Sequence, residues 1–296
     1  MSKTKRRLNY SFTAAFAGFI FGFDTIVISG VDQKLQDLWH STDLFHGLVV
    51  IGMALWGTVI GAIFGGLPTN YFGRKKTLLW IGYLYSISAV GSAISSDPIT
   101  FAFFRFIGGV GIGISTIAAP AYISEISAPN ERGKFVGYYQ LNIVVGILFA
   151  FVSNFFLKEF GESSWRIMVG IEAIPAIIYT VMIMYISQSP RWTYLNGYIA
   201  KSEHIYEELF SSSEKEIFIK EISETKNEFQ KDESIFNIKY RFILYLAFMI
   251  AFFNQFSGIN AFLYYSPRIF QEGGLGENSA FLSSIGIGIT NLIFTI

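Results

Sequence analysis

Cysteine is absent from this chain of 296 residues, and histidine occurs three times. The first absence excludes a disulfide framework and any thiolate metal site. Three scattered imidazoles assemble no metal-ligand set. Charge is scarce too: Asp, Glu, Lys and Arg make up 15% of residues, and 22 bases cancel 22 acids. A net charge of zero offers a polyanion nothing to bind, so no nucleic-acid partner is expected. No phosphate-cradling loop or nucleotide motif occurs, and no catalytic constellation, cofactor or metal is implied. What is abundant is apolar surface. With 52% hydrophobic residues and a mean hydropathy of +0.44, the chain reads as an all-α membrane protein whose first partner is the lipid bilayer.

A bilayer core of roughly 30 Å takes about 20 helical residues, and apolar stretches of that length recur eight times. They fall near Tyr10 to Gly30, Leu44 to Pro68, Thr77 to Ser95, Ile99 to Tyr122, Phe135 to Phe156, Trp165 to Ser187, Phe242 to Tyr265 and Ser279 to Ile296. Lys3, Lys5, Arg6 and Arg7 precede the first, as in a secretory signal, but Asp24 and the lack of a small-residue cleavage site argue against one. Positive charge sets orientation. The amino terminus, the loop with Arg74, Lys75 and Lys76, and the loop with Arg132 and Lys134 are basic, whereas Lys34 is outweighed by Asp32, Asp37 and Asp43. The amino terminus is therefore expected in the cytoplasm.

One long polar segment interrupts the pattern and divides the chain into residues 1–190 with six spans, a linker at 191–241, and residues 242–296 with two. Ten of the 22 acids lie between Glu203 and Glu233. Within that stretch Ile205, Leu209, Ile217, Ile219 and Phe229 are spaced as in short amphipathic helices under the membrane; a solvated charged linker is the plainer reading. Six spans, a linker and further spans is the layout of transporters built from two six-helix halves.

Three charges lie where charge is expensive. Asp24, Arg105 and Glu172 fall inside apolar spans, where each costs about 2.5 to 3.5 kcal/mol at a helix centre. Counting about 1.5 Å of rise per residue from the outer ends of their spans puts all three roughly 9 to 10 Å deep. They are expected to meet, as one cation between two carboxylates, and the surplus acid is a group able to take up a proton. A purely structural ion cluster is the alternative. Pairs at Gly18/Gly22, Gly57/Gly61, Gly61/Gly65 and Gly109/Gly113 have the spacing that lets helix backbones approach closely.

Amides in the spans form a second set. Gln140, Gln255, Asn260 and Asn291 offer donors and acceptors suited to vicinal hydroxyls, and Tyr264 shares a helical face with Asn260. Gln255 and Asn260, five apart, share a face only if the backbone unwinds, which Gly258 permits. Their alternative role is interhelical adhesion at about 0.6 kcal/mol each.

Six motifs in order carry a family resemblance: Gly22-Phe23-Asp24-Thr25, the loop from Gly65 to Lys76, Arg105-Phe106-Ile107-Gly108-Gly109, Pro120 to Glu125 with Arg132-Gly133, Ser189-Pro190-Arg191-Trp192, and Gln255 to Asn260. The chain resembles the sugar porter family of the major facilitator superfamily, in particular its bacterial sugar-proton symporters. The resemblance implies a major facilitator fold with a complete six-helix first half and the first two helices of the second, so the chain is expected to be C-terminally truncated. It implies a multi-pass protein of a bacterial inner membrane that carries a monosaccharide, pentose or hexose, with a proton by alternating access and without an obligate protein partner. Asp24 would accept the proton with Arg105 and Glu172 as partners; Gln140, Gln255, Asn260 and Asn291 would contact the sugar, with Tyr264 joined to them by the face it shares with Asn260; Arg74, Glu125, Arg132 and Arg191 would form the cytoplasmic gate. Positive-inside topology accounts for Arg74 without any gate, but not for Glu125. The chain departs from the family at Asn70 and Tyr71, at Asn254, and at Ser187-Gln188, where a gate acid is missing and a weaker gate is expected. Competing readings are a non-transporting or sugar-responsive remnant, and a passive facilitator, against which Asp24 argues.

Overall fold

The computed structural model describes residues 2–211, 214–215 and 237–296, which form helices joined by turns and short irregular stretches. Among the described residues, seven segments are long and apolar enough to cross a membrane. The first is α1 (Lys3–Val27), followed by a short α2 (Asp32–Trp39). The second joins a π turn, His46–Ile51, to α3 (Met53–Phe64). Then come α4 (Arg74–Ile94), α5 (Pro98–Ile126) and α6 (Arg132–Leu157). The sixth segment is broken into α7 (Ser164–Gly170) and α8 (Ala173–Met184). Pro175 explains the break, because proline cannot donate to the carbonyl four residues back, here that of Ile171. Ile174 N–H takes that carbonyl instead, at 3.1 Å.

Among the described residues, the expected linker forms α9 (Pro190–Leu195) and α10 (Ile199–Leu209). Ile205 and Leu209 are buried against the first six spans; Ile217, Ile219 and Phe229 lie outside the described residues. The seventh segment is α11 (Arg241–Phe256) and α12 (Ile259–Tyr264), joined at Gly258, and it is followed by α13 (Ser266–Glu272). The expected eighth span forms α14 (Glu277–Thr295). It is not among the seven apolar enough to cross, since Glu277, Asn278, three serines, Thr290 and Asn291 dilute it. It packs on α6 and α13, whereas α11 buries no residue at all. An all-round apolar helix with nothing against it is one that lipid or further protein must cover.

Glycine sets how closely the spans approach. A Cβ on Gly57 or Gly61 would strike the α5 backbone at Phe106 and Val110, and one on Gly109 or Gly113 would strike the α3 backbone at Ala54 and Thr58. The α1–α6 contact is built the same way, with Gly18 and Gly22 against Tyr139 and Ile143, and Gly146 against Phe19. Backbone touches backbone at both crossings, which is how small residues drive association where lipid removes the hydrophobic incentive. Gly113→Val is expected to lower the melting temperature of the detergent-purified protein, by overpacking of about 1–3 kcal/mol. Gly133→Ala, whose Cβ meets nothing, serves as the unchanged control.

Candidate functional site

Asp24, 1% exposed, stands near the last turn of α1, and Arg105, also 1% exposed, stands two turns into α5. Arg105 Nη1 donates to Asp24 Oδ1, and Nη2 donates to the Asp24 backbone carbonyl at 3.0 Å. Glu172, fully buried, sits at the α7–α8 break. Its charged neighbours are Asp24 and Arg105. The three residues expected at one depth therefore do meet, on three separate spans. Asp24 Oδ2 and both Glu172 oxygens have no donor aimed at them. Two carboxylates facing each other are acceptor against acceptor, and a proton on either supplies the missing donor. Gly108 leaves the space: a Cβ there would meet Ser88 Oγ and lie 3.7 Å from Asp24 Oδ1.

The seventh span reaches this cluster. Tyr264, 5% exposed, interacts with Arg105, Asp24 and the Thr25 side chain. Six residues earlier Gly258 adopts φ +74°, a conformation that only glycine takes without strain. The helix unwinds there, and Asn260 Nδ2 donates to Gln255 Oε1 at 2.7 Å, so residues five apart do share a face. Asn291 lies apart from that pair, in a cavity of about 450 Å³ between α12 and α14 that Ile259, Leu263 and Thr290 also line. Gln140 is exposed on α6, and no described bond joins it to the others.

At the N-terminal end of the bundle, Arg74 Nη2 lies 2.8 Å from Glu125 Oε1. Ser189 Oγ donates to Glu125 Oε2 at 2.6 Å, which ties in α9. Arg132 and Arg191 are half-buried; among the described residues Arg191 shows no ion pair. Gln188, where an acid was expected, accepts from the backbone N–H of Lys75 at 2.8 Å and of Ser189 at 3.1 Å. A neutral amide thus holds the same two segments together.

Sequence reasoning took Arg7 only as a topology signal. It is 3% exposed, pairs with Glu131 at 3.0 Å and Glu214 at 3.3 Å, and donates to the Leu209 carbonyl at 2.9 Å. Burial pushes the Glu214 carboxyl up, but the Ser211 N–H and hydroxyl together with Arg7 outweigh it and hold the group below its ordinary range. Asp32, His46 and Arg268, at the opposite end, were also missed; a charge near a span's end costs little and gives no signal.

The profile of the family described as "Sugar (and other) transporter" matches residues 10–296. The chain belongs to that family. Among sugar transporter relatives, the arabinose-proton symporter of Bacillus subtilis is 31% identical and is matched over 97% of this chain and 63% of its own length. The D-xylose-proton symporter of Escherichia coli is 31% identical, over 96% of this chain and 64% of its own. The structure of the proton:xylose symporter XylE bound to 6-bromo-6-deoxy-D-glucose superposes with a TM-score of 0.84 at 28% identity, covering 99% of this chain and 68% of that one. The fold is that of the major facilitator superfamily, and the chain spans less than two thirds of the length of these curated relatives.

Arg105→Met strips the cation from two buried acids and is expected to destabilise the protein by about 3–5 kcal/mol. Adding Asp24→Asn should restore part of the lost melting temperature, and no recovery would refute the pairing. For Glu214, folded-state depression means that its stabilisation is present above the unfolded carboxyl range and disappears as pH falls through the folded value. Melting measured from pH 7 down to pH 3 should therefore show the wild type losing its advantage over Glu214→Gln.

Proposed function

We propose that the chain acts in transmembrane transport of a monosaccharide coupled to proton symport by alternating access, as a transporter rather than an enzyme. The observation that carries this reading is the buried cluster: one guanidinium, two carboxylates and three acceptor oxygens without donors. A cluster serving only to fix helix packing has no reason to hold a surplus acid, because burying one is costly. In this reading Asp24 takes the proton with Arg105 and Glu172 as partners. Gln140, Gln255, Asn260, Tyr264 and Asn291 face the sugar, and Arg74, Glu125, Arg132 and Arg191 guard the cytoplasmic side. The amino terminus is cytoplasmic, in a bacterial inner membrane.

Tyr264 supplies the coupling step. It belongs to the same short helix as Asn260 and lies within electrostatic reach of Arg105 and Asp24, so closure of that helix over a sugar changes the surroundings of the acids. With Asp24 protonated the cluster is closer to neutral and costs less to move past apolar surroundings. The relatives' names point to pentoses, so D-xylose and L-arabinose are the first candidates, with glucose and galactose next. One proton driven by about 150 mV supplies roughly 3.5 kcal/mol, enough for about two and a half decades of accumulation.

In proteoliposomes the wild-type chain is expected to accumulate labelled sugar only under an imposed inward proton gradient. Asp24→Asn should abolish accumulation and retain sugar exchange at equilibrium; unchanged accumulation would reject the assignment of Asp24. Binding without gradient-dependent uptake would reject symport by this chain.

A further inference from the structure

Beyond the cluster, the two parts of the chain meet through charge at the end of the bundle opposite the N-terminus. Asp32 opens α2 and is 1% exposed, and its two oxygens face different parts. Oδ1 lies 2.8 Å from His46 Nε2. His46, 2% exposed, begins the π turn of the second span, and its Nδ1 is 3.1 Å from Ser41 Oγ. Single π turns inside membrane-length helices are frequent at functional positions. Oδ2 lies 3.4 Å from Arg268 Nη1, which also donates to Gln36 Oε1 at 2.8 Å.

Arg268 comes from α13, four residues after Tyr264. The seat is buried, whereas the Arg268 side chain is 28% exposed and also reaches Glu272 at 3.1 Å. Beside it lies a cavity of about 500 Å³ bounded on one side by Gln36 and His46 and on the other by Phe262, Tyr265 and Arg268. An ion pair within one rigid part only stabilises that part. One that joins two parts across a cavity sets how often the cavity opens.

We propose that Asp32, His46 and Arg268 form a latch that holds the outer end of the two halves shut, with Arg268 the moving part and Asp32–His46 its fixed seat. The latch rests on the alternating-access reading above. When Arg268 leaves, Asp32 keeps His46 as its partner, so the seat survives opening. These are positioning residues and touch no substrate. Loss of Arg268 or of the Asp32 charge shifts the population toward the outward-open form.

The chain has no native cysteine, so a single introduced thiol reports on opening. Ser29 is 4% exposed with a buried hydroxyl that has no partner, in a second outer cavity faced by Pro267 and Gln271 from the other part. In detergent, Ser29→Cys is expected to react slowly with a maleimide, and about tenfold faster when combined with Arg268→Gln or Asp32→Asn. Arg268→Lys, which keeps the charge, should restore the slow rate. A second reporter, Ser202→Cys, lies fully buried at the N-terminal end and should not accelerate. Equal Ser29→Cys rates with and without the latch substitutions would overturn the proposal. Acceleration at both reporters would overturn it too, as general loosening. Labelling requires no sugar turnover: labelling as expected in a chain that accumulates no sugar leaves the latch standing and removes the symport reading.

Discussion

One guanidinium between two carboxylates, sealed from water, is the constraint on which the rest of the fold depends. Arg105 satisfies Asp24 through both its carboxylate and its backbone carbonyl, but it cannot neutralise Glu172 as well. Bringing the three together requires α1, α5 and the α7–α8 break to converge. Each convergence has its own local cause. Gly108 keeps the approach to Asp24 open. Pro175 breaks the helix where Glu172 must turn inward, and the glycine crossings draw α1 onto α6 and α3 onto α5.

The segment from Gly258 to Glu272 is where separate features come within reach of one another. Gly258 unwinds the span and lets Gln255 and Asn260 bond; Tyr264 lies within electrostatic reach of the cluster; Arg268 reaches Asp32. A rigid α12–α13 unit pivoting at Gly258 would move all three contacts together. Such coupling needs no long chain of residues, only an element with two positions that each contact biases.

Much of this was legible in the sequence, for physical reasons. A charge inside an apolar run is costly, so Asp24, Arg105 and Glu172 announced themselves, and depth arithmetic alone placed them together. Glycines at four-residue spacing likewise marked both crossings, although Gly146, the partner on α6, has no such repeat. The α12 break was readable from Gly258 and the mismatch between Gln255 and Asn260. Illegible were contacts near span ends, where charge is cheap and pairing leaves no trace: Arg7 with Glu131, and Asp32 with His46 and Arg268. Nor could residue type alone show what Gln188 does in place of the missing charge. Its role is to accept two backbone N–H groups, which an amide does as well as a carboxylate.

The two ends of the bundle differ in what their ion pairs can control. Arg74 and Glu125 both belong to the first six spans, and Ser189 extends the contact only to α9. In the proposed rocking of the parts, a pair confined to one part keeps its geometry and stabilises that part in both states, so it can gate only through what it holds against the other part. Among the described residues, these groups therefore bear on alternation through α9 and α10, which Arg7, Tyr10 and Ser187 also hold by way of the Leu209 carbonyl and Glu208. At the opposite end Arg268 joins the parts directly. In the proposed alternation, the balance between the two states is therefore expected to depend more on the half-buried Arg268 of α13 than on the larger network at the N-terminal end.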